Sequence, residues 1–205
     1  HASPIVEPDL VKVRSFAVPT VSAFLFNAAF AVMLLGLIQF LTGVWGYSAL
    51  KTGLAISPGP LMVPLFASRS PKLVRRFGAA PVAIFGTTLF GSAGLFWYFQ
   101  TGLERNYLTE ILPGLVAAGF GFAMTLPTLM MTATRSLPPQ RFATGSAVVT
   151  MARQIGTVLG ISLLVVLLDS AGSDVMNAFH HGWLLMAGFA FIAGATILVF
   201  LRGVA

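Results

Sequence analysis

The sequence predicts an all-α membrane protein with six transmembrane helices, and three observations carry that expectation. Hydrophobic residues make up 57% of the chain and charged residues only 9%, against roughly 25% charged in an ordinary globular domain. The charges are also unevenly spaced. None falls between Ser15 and Leu50, Thr52 and Ser68, Phe77 and Leu103, Ile111 and Thr134, or Val175 and Leu201. A hydrocarbon core about 30 Å thick takes around 20 apolar helical residues to cross, and most of these tracts are long enough. Finally, the tracts are apolar on every side, whereas membrane β-strands alternate apolar and polar positions. A backbone in lipid must satisfy its own hydrogen bonds, so such tracts become helices.

The spans follow in order. The first runs from Phe16 to Gly43, inside the longest charge-free tract. The second, Thr52 to Ser68, carries Pro58, Pro60 and Pro64, which a span tolerates where neighbouring helices rescue the freed carbonyls. The third runs from Ala80 to Gln100, the fourth from Leu108 to Thr132, the fifth from Phe142 to Leu168, and the sixth from Trp183 to Leu201. Residues 1–15 read as a cytoplasmic lead-in and 16–205 as the bundle. HASPIVEPDL has no basic start followed by an apolar core, so it is not a signal peptide. The start at His1 points to a piece of a longer chain.

Orientation comes from the cations, which collect in short cytoplasmic loops. One side receives nine of the twelve basic residues: Lys12, Arg14, Arg69, Lys72, Arg75, Arg76, Arg135, Arg141 and Arg202. The other receives Lys51 and Arg105, with Glu104, Glu110, Asp169 and Asp174. This split predicts an even number of crossings with both termini inside. The cluster Arg69, Lys72, Arg75, Arg76 then pins the second connector in the cytoplasm. A pI near 10.6 reflects these connectors; no basic face with interleaved aromatics suggests nucleic acid.

Glycines mark close helix contacts. Gly114, Gly119 and Gly121 fall in the fourth span, and Gly156 and Gly160 form a small-xxx-small pair in the fifth. Such residues let backbones approach in lipid, where no hydrophobic effect draws helices together. They serve either static packing or a sliding interface.

Arg153 is the one charge expected deep in the membrane, about 18 Å along a helix from Arg141. An arginine there costs at least about 2.5–3.5 kcal/mol on insertion scales, so it faces a wet cavity or another helix together with Gln154. It either holds backbone carbonyls or a partner carboxylate, or it serves a substrate or coupling pathway. Asn27 and Gln39 in the first span are the other polar pathway candidates.

Enzyme chemistry is not expected. Cysteine is absent, which removes thiolate metal sites and cysteine nucleophiles together. Gly145-Ser146 lacks the surrounding pattern of a serine nucleophile, and His180 and His181 read as interfacial residues in a short outer loop. No glycine loop followed by lysine and Ser/Thr is available for phosphate, and no cofactor is expected.

Several segments carry a family resemblance. EPDLVKVRSF and LIQFLTGVWGYSALKTGLAISPGP resemble the lead-in, ninth span, outer turn and start of the tenth span in the fourteen-span drug:proton antiporter branch of the major facilitator superfamily. LPPQRFATGSAVVTMARQIGTVLG resembles its inner loop and thirteenth span, including the arginine-glutamine-x-glycine run at Arg153, Gln154 and Gly156. PKLVRRFG resembles the basic loop between the second and third helices of each half, with Pro71 for the usual glycine and Arg75 for the usual aspartate. In the family, the aspartate of the N-terminal copy of this loop takes part in a cytoplasmic charge relay. The resemblance therefore implies that this copy, without it, keeps its anchoring charge rather than a gating role. The resemblance implies the C-terminal six-helix half of an exporter in a bacterial-type inner membrane, built from two inverted three-helix repeats. It implies an N-terminal half as partner, a small amphipathic substrate, and protons whose main carboxylate lies elsewhere. Transport would proceed by rocking one half against the other. The competing expectation is a self-contained six-span channel, or a scaffold that dimerises through its glycine faces.

Overall fold

The computed structural model describes residues 13–135, 137–170, 172 and 174–202. Lys12 and most of the lead-in therefore lie outside the described residues. All regular structure among those described is helical. Helix α1 (Arg14–Gln39) continues through a π-helical turn, Phe40–Val44. Then come α2 (Ala49–Ile56), α3 (Pro58–Ala67) and the eight-residue α4 (Ser70–Phe77). Helix α5 (Ala79–Gln100) is followed by a second π-helical turn, Tyr107–Ile111, leading into α6 (Leu112–Arg135). A 3-10 turn, Pro139–Arg141, precedes α7 (Phe142–Asp169), and α8 (Val175–Arg202) closes the bundle.

Among the described residues, five helical segments are long and apolar enough to cross a membrane: those of α1, α5, α6, α7 and α8. The expected second span is not a continuous helix. Ser48 caps α2 by accepting from the Lys51 amide at 3.3 Å, and α2 stops at Ile56 because Pro58 brings no N–H to continue the ladder. The same proline suits the first position of α3. The sixth span starts earlier than expected, at Val175, so His180 and His181 lie on α8 rather than in a loop. No charge or proline interrupts the run from Val175 into Trp183, which lets the helix extend.

Gly78 makes the corner between α4 and α5 with φ +88° and ψ 160°, a region essentially reserved for glycine. It allows a helix lying across the bundle end to turn into one running along it.

Contacts between helices fix their directions. Glycines bring α5 and α6 together in antiparallel register: Gly86 beside Gly121, and Trp97 beside Gly114. Helices α5 and α8 are likewise antiparallel, with Gly94 against Trp183 and Thr87 against Gly194. In contrast α1 and α7 run parallel, with Phe24 at Gly156 and Ala28 at Gly160. Helices α3 and α6 also run parallel, with Gly59 beside Gly119, and the following α4 continues along α6 with Ser70 beside Thr128. Arg14, Arg69, Lys72, Arg75, Arg76, Arg135 and Arg141 consequently share one end of the bundle. Lys51, Arg105, Glu104, Glu110 and Asp169 share the other.

Helix α1 sits centrally, packed on α6, α7 and α8. The core at the acidic end is aromatic: Phe40, Trp45, Trp97, Phe179 and Trp183 are all buried. Trp97 and Trp183 have ring centroids 5.2 Å apart, and Phe40 meets Phe179 edge-on at 5.3 Å. Buried indole N–H groups need acceptors. Trp45 Nε1 donates to the Gly102 carbonyl at 3.1 Å and Trp97 Nε1 to that of Ile111 at 3.3 Å. Of the five membrane-length segments, α7 is the least enclosed: 17% of its most apolar stretch is buried inside the bundle, against 61% for the α1 segment.

Candidate functional site

The expected polar residues do not all converge. Asn27 is buried halfway along α1. Its Nδ2 donates to the Ala23 carbonyl one turn back at 2.8 Å, which aims Oδ1 outward. Arg153, half-buried on α7, donates through Nε to that oxygen at 3.4 Å. The backbone one turn further along α7 is anchored by Thr157, whose hydroxyl donates to the Arg153 carbonyl at 3.1 Å. These two residues, 126 positions apart, form the polar contact between α1 and α7 in the middle of the bundle. An arginine in apolar surroundings is tolerated when its head is bonded inward.

Gln154 and Gln39 stand apart from that contact. Gln154 is exposed beside Arg153, because successive residues on a helix point about 100° apart. Gln39 is exposed at the end of α1, twelve residues beyond Asn27 and so about 18 Å along the axis.

The glycines divide by face. On α7, a Cβ on Gly156 would run into the Phe24 carbonyl, and one on Gly160 into the Ala28 carbonyl. Both lie on the side of α7 that carries Arg153, so this seam brings the α1 backbone within reach of its guanidinium. On α6, Gly121 faces α5, 2.6 Å from the Gly86 carbonyl oxygen at the Cβ position, and Gly114 faces the Trp97 indole. Gly119 faces the other way, 2.5 Å from the Gly59 carbonyl oxygen of α3. One run of sequence therefore serves two different helix contacts.

Other polar contacts carried no motif to announce them. Ser22 and Thr196 share a hydrogen bond at 2.6 Å between α1 and α8. Ser70 and Thr128 lie 3.3 Å apart, tying α4 to α6. His180 points inward, with Nε2 3.2 Å from the Thr101 carbonyl and its ring 5.4 Å from that of Tyr98, while His181 is exposed. The two imidazoles diverge, as neighbours on a helix must. Glu110 Oε2 accepts from the Gly102 amide at 2.9 Å, and the Tyr107 hydroxyl donates to the Ala55 carbonyl at 2.8 Å. Both close the acidic end.

Between α1, α3 and α6 lies an apolar cavity of about 120 Å³ lined by Phe30, Met33, Gly59, Val63, Leu115 and Phe122. The rings of Phe30 and Phe122 approach to 4.6 Å there. Such surroundings suit apolar or aromatic groups rather than ions.

Long apolar helices, glycine seams and an inward-bonded arginine at mid-bundle define an integral membrane protein of helical-bundle type. The Major Facilitator Superfamily profile matches residues 3–161, and the chain belongs to that superfamily. It is 30% identical over 155 residues to the puromycin resistance protein pur8 of Streptomyces alboniger, covering 73% of this chain and 30% of that protein. It is 29% identical over 165 residues to the multidrug resistance protein Stp of Mycobacterium tuberculosis, covering 80% of this chain and 30% of that protein. The Escherichia coli transporter YebQ, described as uncharacterized, is 25% identical over 190 residues, 93% of this chain and 40% of that protein. The chain thus spans 30% to 40% of the length of these curated relatives.

Proposed function

We propose that the chain is the C-terminal six-span half of a secondary active exporter for amphipathic compounds, working by proton-coupled antiport against an N-terminal half. Helices α2 and α3 together make the second crossing, bent at Ser57. The helix pairings support two inverted three-helix repeats. The parallel pair α1 and α7 has its counterpart in the parallel pair α6 and α3, and the antiparallel pair α1 and α8 in α6 and α5. Exchanging the two repeats maps each pairing onto the other with direction reversed.

The Arg153–Asn27 contact carries the functional reading. A buried amide bonded to a half-buried guanidinium keeps one cation inside the membrane without a carboxylate. The guanidinium retains further N–H donors for a substrate or for a partner half seated on the thinly covered α7. Resistance to drugs in the names of two relatives agrees with amphipathic substrates. The basic bundle end supports a cytoplasmic orientation for that face in a bacterial-type cell, with both termini inside.

The deciding test is efflux of a fluorescent cationic dye by the full-length protein carrying Arg153→Ala. Loss of efflux with unchanged membrane expression is the expected result. Normal efflux would assign Arg153 to packing alone.

A further inference from the structure

The amphipathic helix α4 lies over an apolar groove of about 500 Å³, bounded by Leu73, Phe77, Pro81, Phe85, Phe120 and Met124. Phe77 and Phe85 are 56% and 54% exposed, so the groove opens sideways, toward lipid, beneath the helix. One cation sits on its aromatic wall and a second on a ring packed behind that wall. The Arg76 guanidinium lies 5.2 Å from the Phe77 ring centroid. The Arg69 guanidinium lies 5.5 Å from that of Phe66, whose ring packs edge-on against Phe120 at 4.2 Å. Aromatic faces hold guanidinium groups by cation–π attraction, which fixes the Arg76 charge at the groove and the Arg69 charge on the adjoining Phe66 ring, where Nη1 also donates to the Leu65 carbonyl at 3.3 Å. Lys72 is exposed beside them. Neither Thr52–Leu103 nor Ile111–Leu168 contains an Asp or Glu, so the helices around the groove offer these cations no carboxylate.

We propose that this groove holds an acyl chain of an anionic phospholipid whose headgroup phosphate rests on Arg69 and Arg76. The proposal rests on the membrane reading of the helices, not on what the bundle transports. Cationic side chains at a leaflet surface attract acidic headgroups, and Arg presents a fork of donors matched to phosphate oxygens. The apolar groove beneath supplies what a soluble anion could not use. Arg75 gives an internal control. Helical spacing puts it on the side of α4 away from Leu73 and Phe77, so it contributes charge to the surface without standing at the rim.

The test places an indole in the groove by Phe85→Trp in the full-length protein, reconstituted in phosphatidylcholine vesicles. Lipid with brominated acyl chains quenches nearby indoles; the protein without the substitution gives the background. Brominated phosphatidylglycerol should quench the added indole at a several-fold lower mole fraction than brominated phosphatidylcholine. Arg69→Gln with Arg76→Gln should reduce that preference by about fivefold per cation, while Arg75→Gln leaves most of it. Inorganic phosphate should not compete. Equal quenching by the two lipids overturns the proposal in favour of ordinary annular lipid. Equal damage from Arg75→Gln reduces it to diffuse surface attraction, and competition by phosphate replaces the lipid with a soluble anion. Native mass spectrometry of the unsubstituted protein gives a second readout: more retained phosphatidylglycerol than phosphatidylcholine is expected, and no difference counts against the site.

Discussion

Arg153 Nε on α7 reaches Asn27 Oδ1 on α1 across 3.4 Å, and the two helices run parallel against each other through Gly156 and Gly160 just beyond that contact. The polar bond and the glycine seam form one interface. Changing either should alter the other.

The first expectation concerns the pair itself. Asn27→Ala removes the oxygen that Arg153 meets, and a buried charge losing its partner is costly. Interhelical polar contacts in membranes couple by about 0.6 kcal/mol on average and at most about 1.7. A double-mutant cycle of Asn27→Ala with Arg153→Gln, read by thermal unfolding in detergent, should give a coupling within that range. Additive effects would mean the contact contributes nothing to stability.

Close approach makes the second expectation. Gly156→Ala places a methyl against the Phe24 carbonyl, a backbone atom that cannot rotate away. Overpacking of this kind costs about 1–3 kcal/mol. Gly188→Ala on α8 has nothing within 4 Å of the new methyl and should be neutral or slightly stabilising. Melting temperatures of the two variants, compared with the parent, decide it. Equal shifts would disprove the seam.

Gly78 gives a third. Any L side chain there must adopt φ +88° with extended ψ, a strain of about 1–3 kcal/mol. Gly78→Ala should lower the melting temperature and make the α4–α5 corner more accessible to protease. Unchanged proteolysis would show that the corner relaxes at no cost.

Orientation supplies a fourth. Seven described cations gather at one bundle end, among them Arg14, Arg69 and Arg141. A topology reporter fused after Gln140 should read cytoplasmic, and one fused after Gly172 should read external. The reverse pattern would invert the protein in its membrane.

The sequence alone determined where membrane helices lie and which ends carry the charge. The α5, α6 and α7 spans agree with the expected tracts to within a few residues, because insertion free energy accumulates locally along the chain. Even so, local reasoning ran Thr52–Ser68 together where Pro58 separates α2 from α3, and it placed His180 in a loop where the apolar run carried α8 past it.

Tertiary structure decided the partners. Nothing in GLVAAGFGF says that Gly119 turns to α3 while Gly114 and Gly121 turn to α5, and nothing near Arg153 names Asn27. Ser22 and Thr196 meet without any signal in either segment. The reason lies in the solvent: lipid tails are as apolar as leucine, so a helix surrounded by them carries no apolar stripe to mark its buried face. Which face turns inward is settled only when another backbone comes close enough to touch.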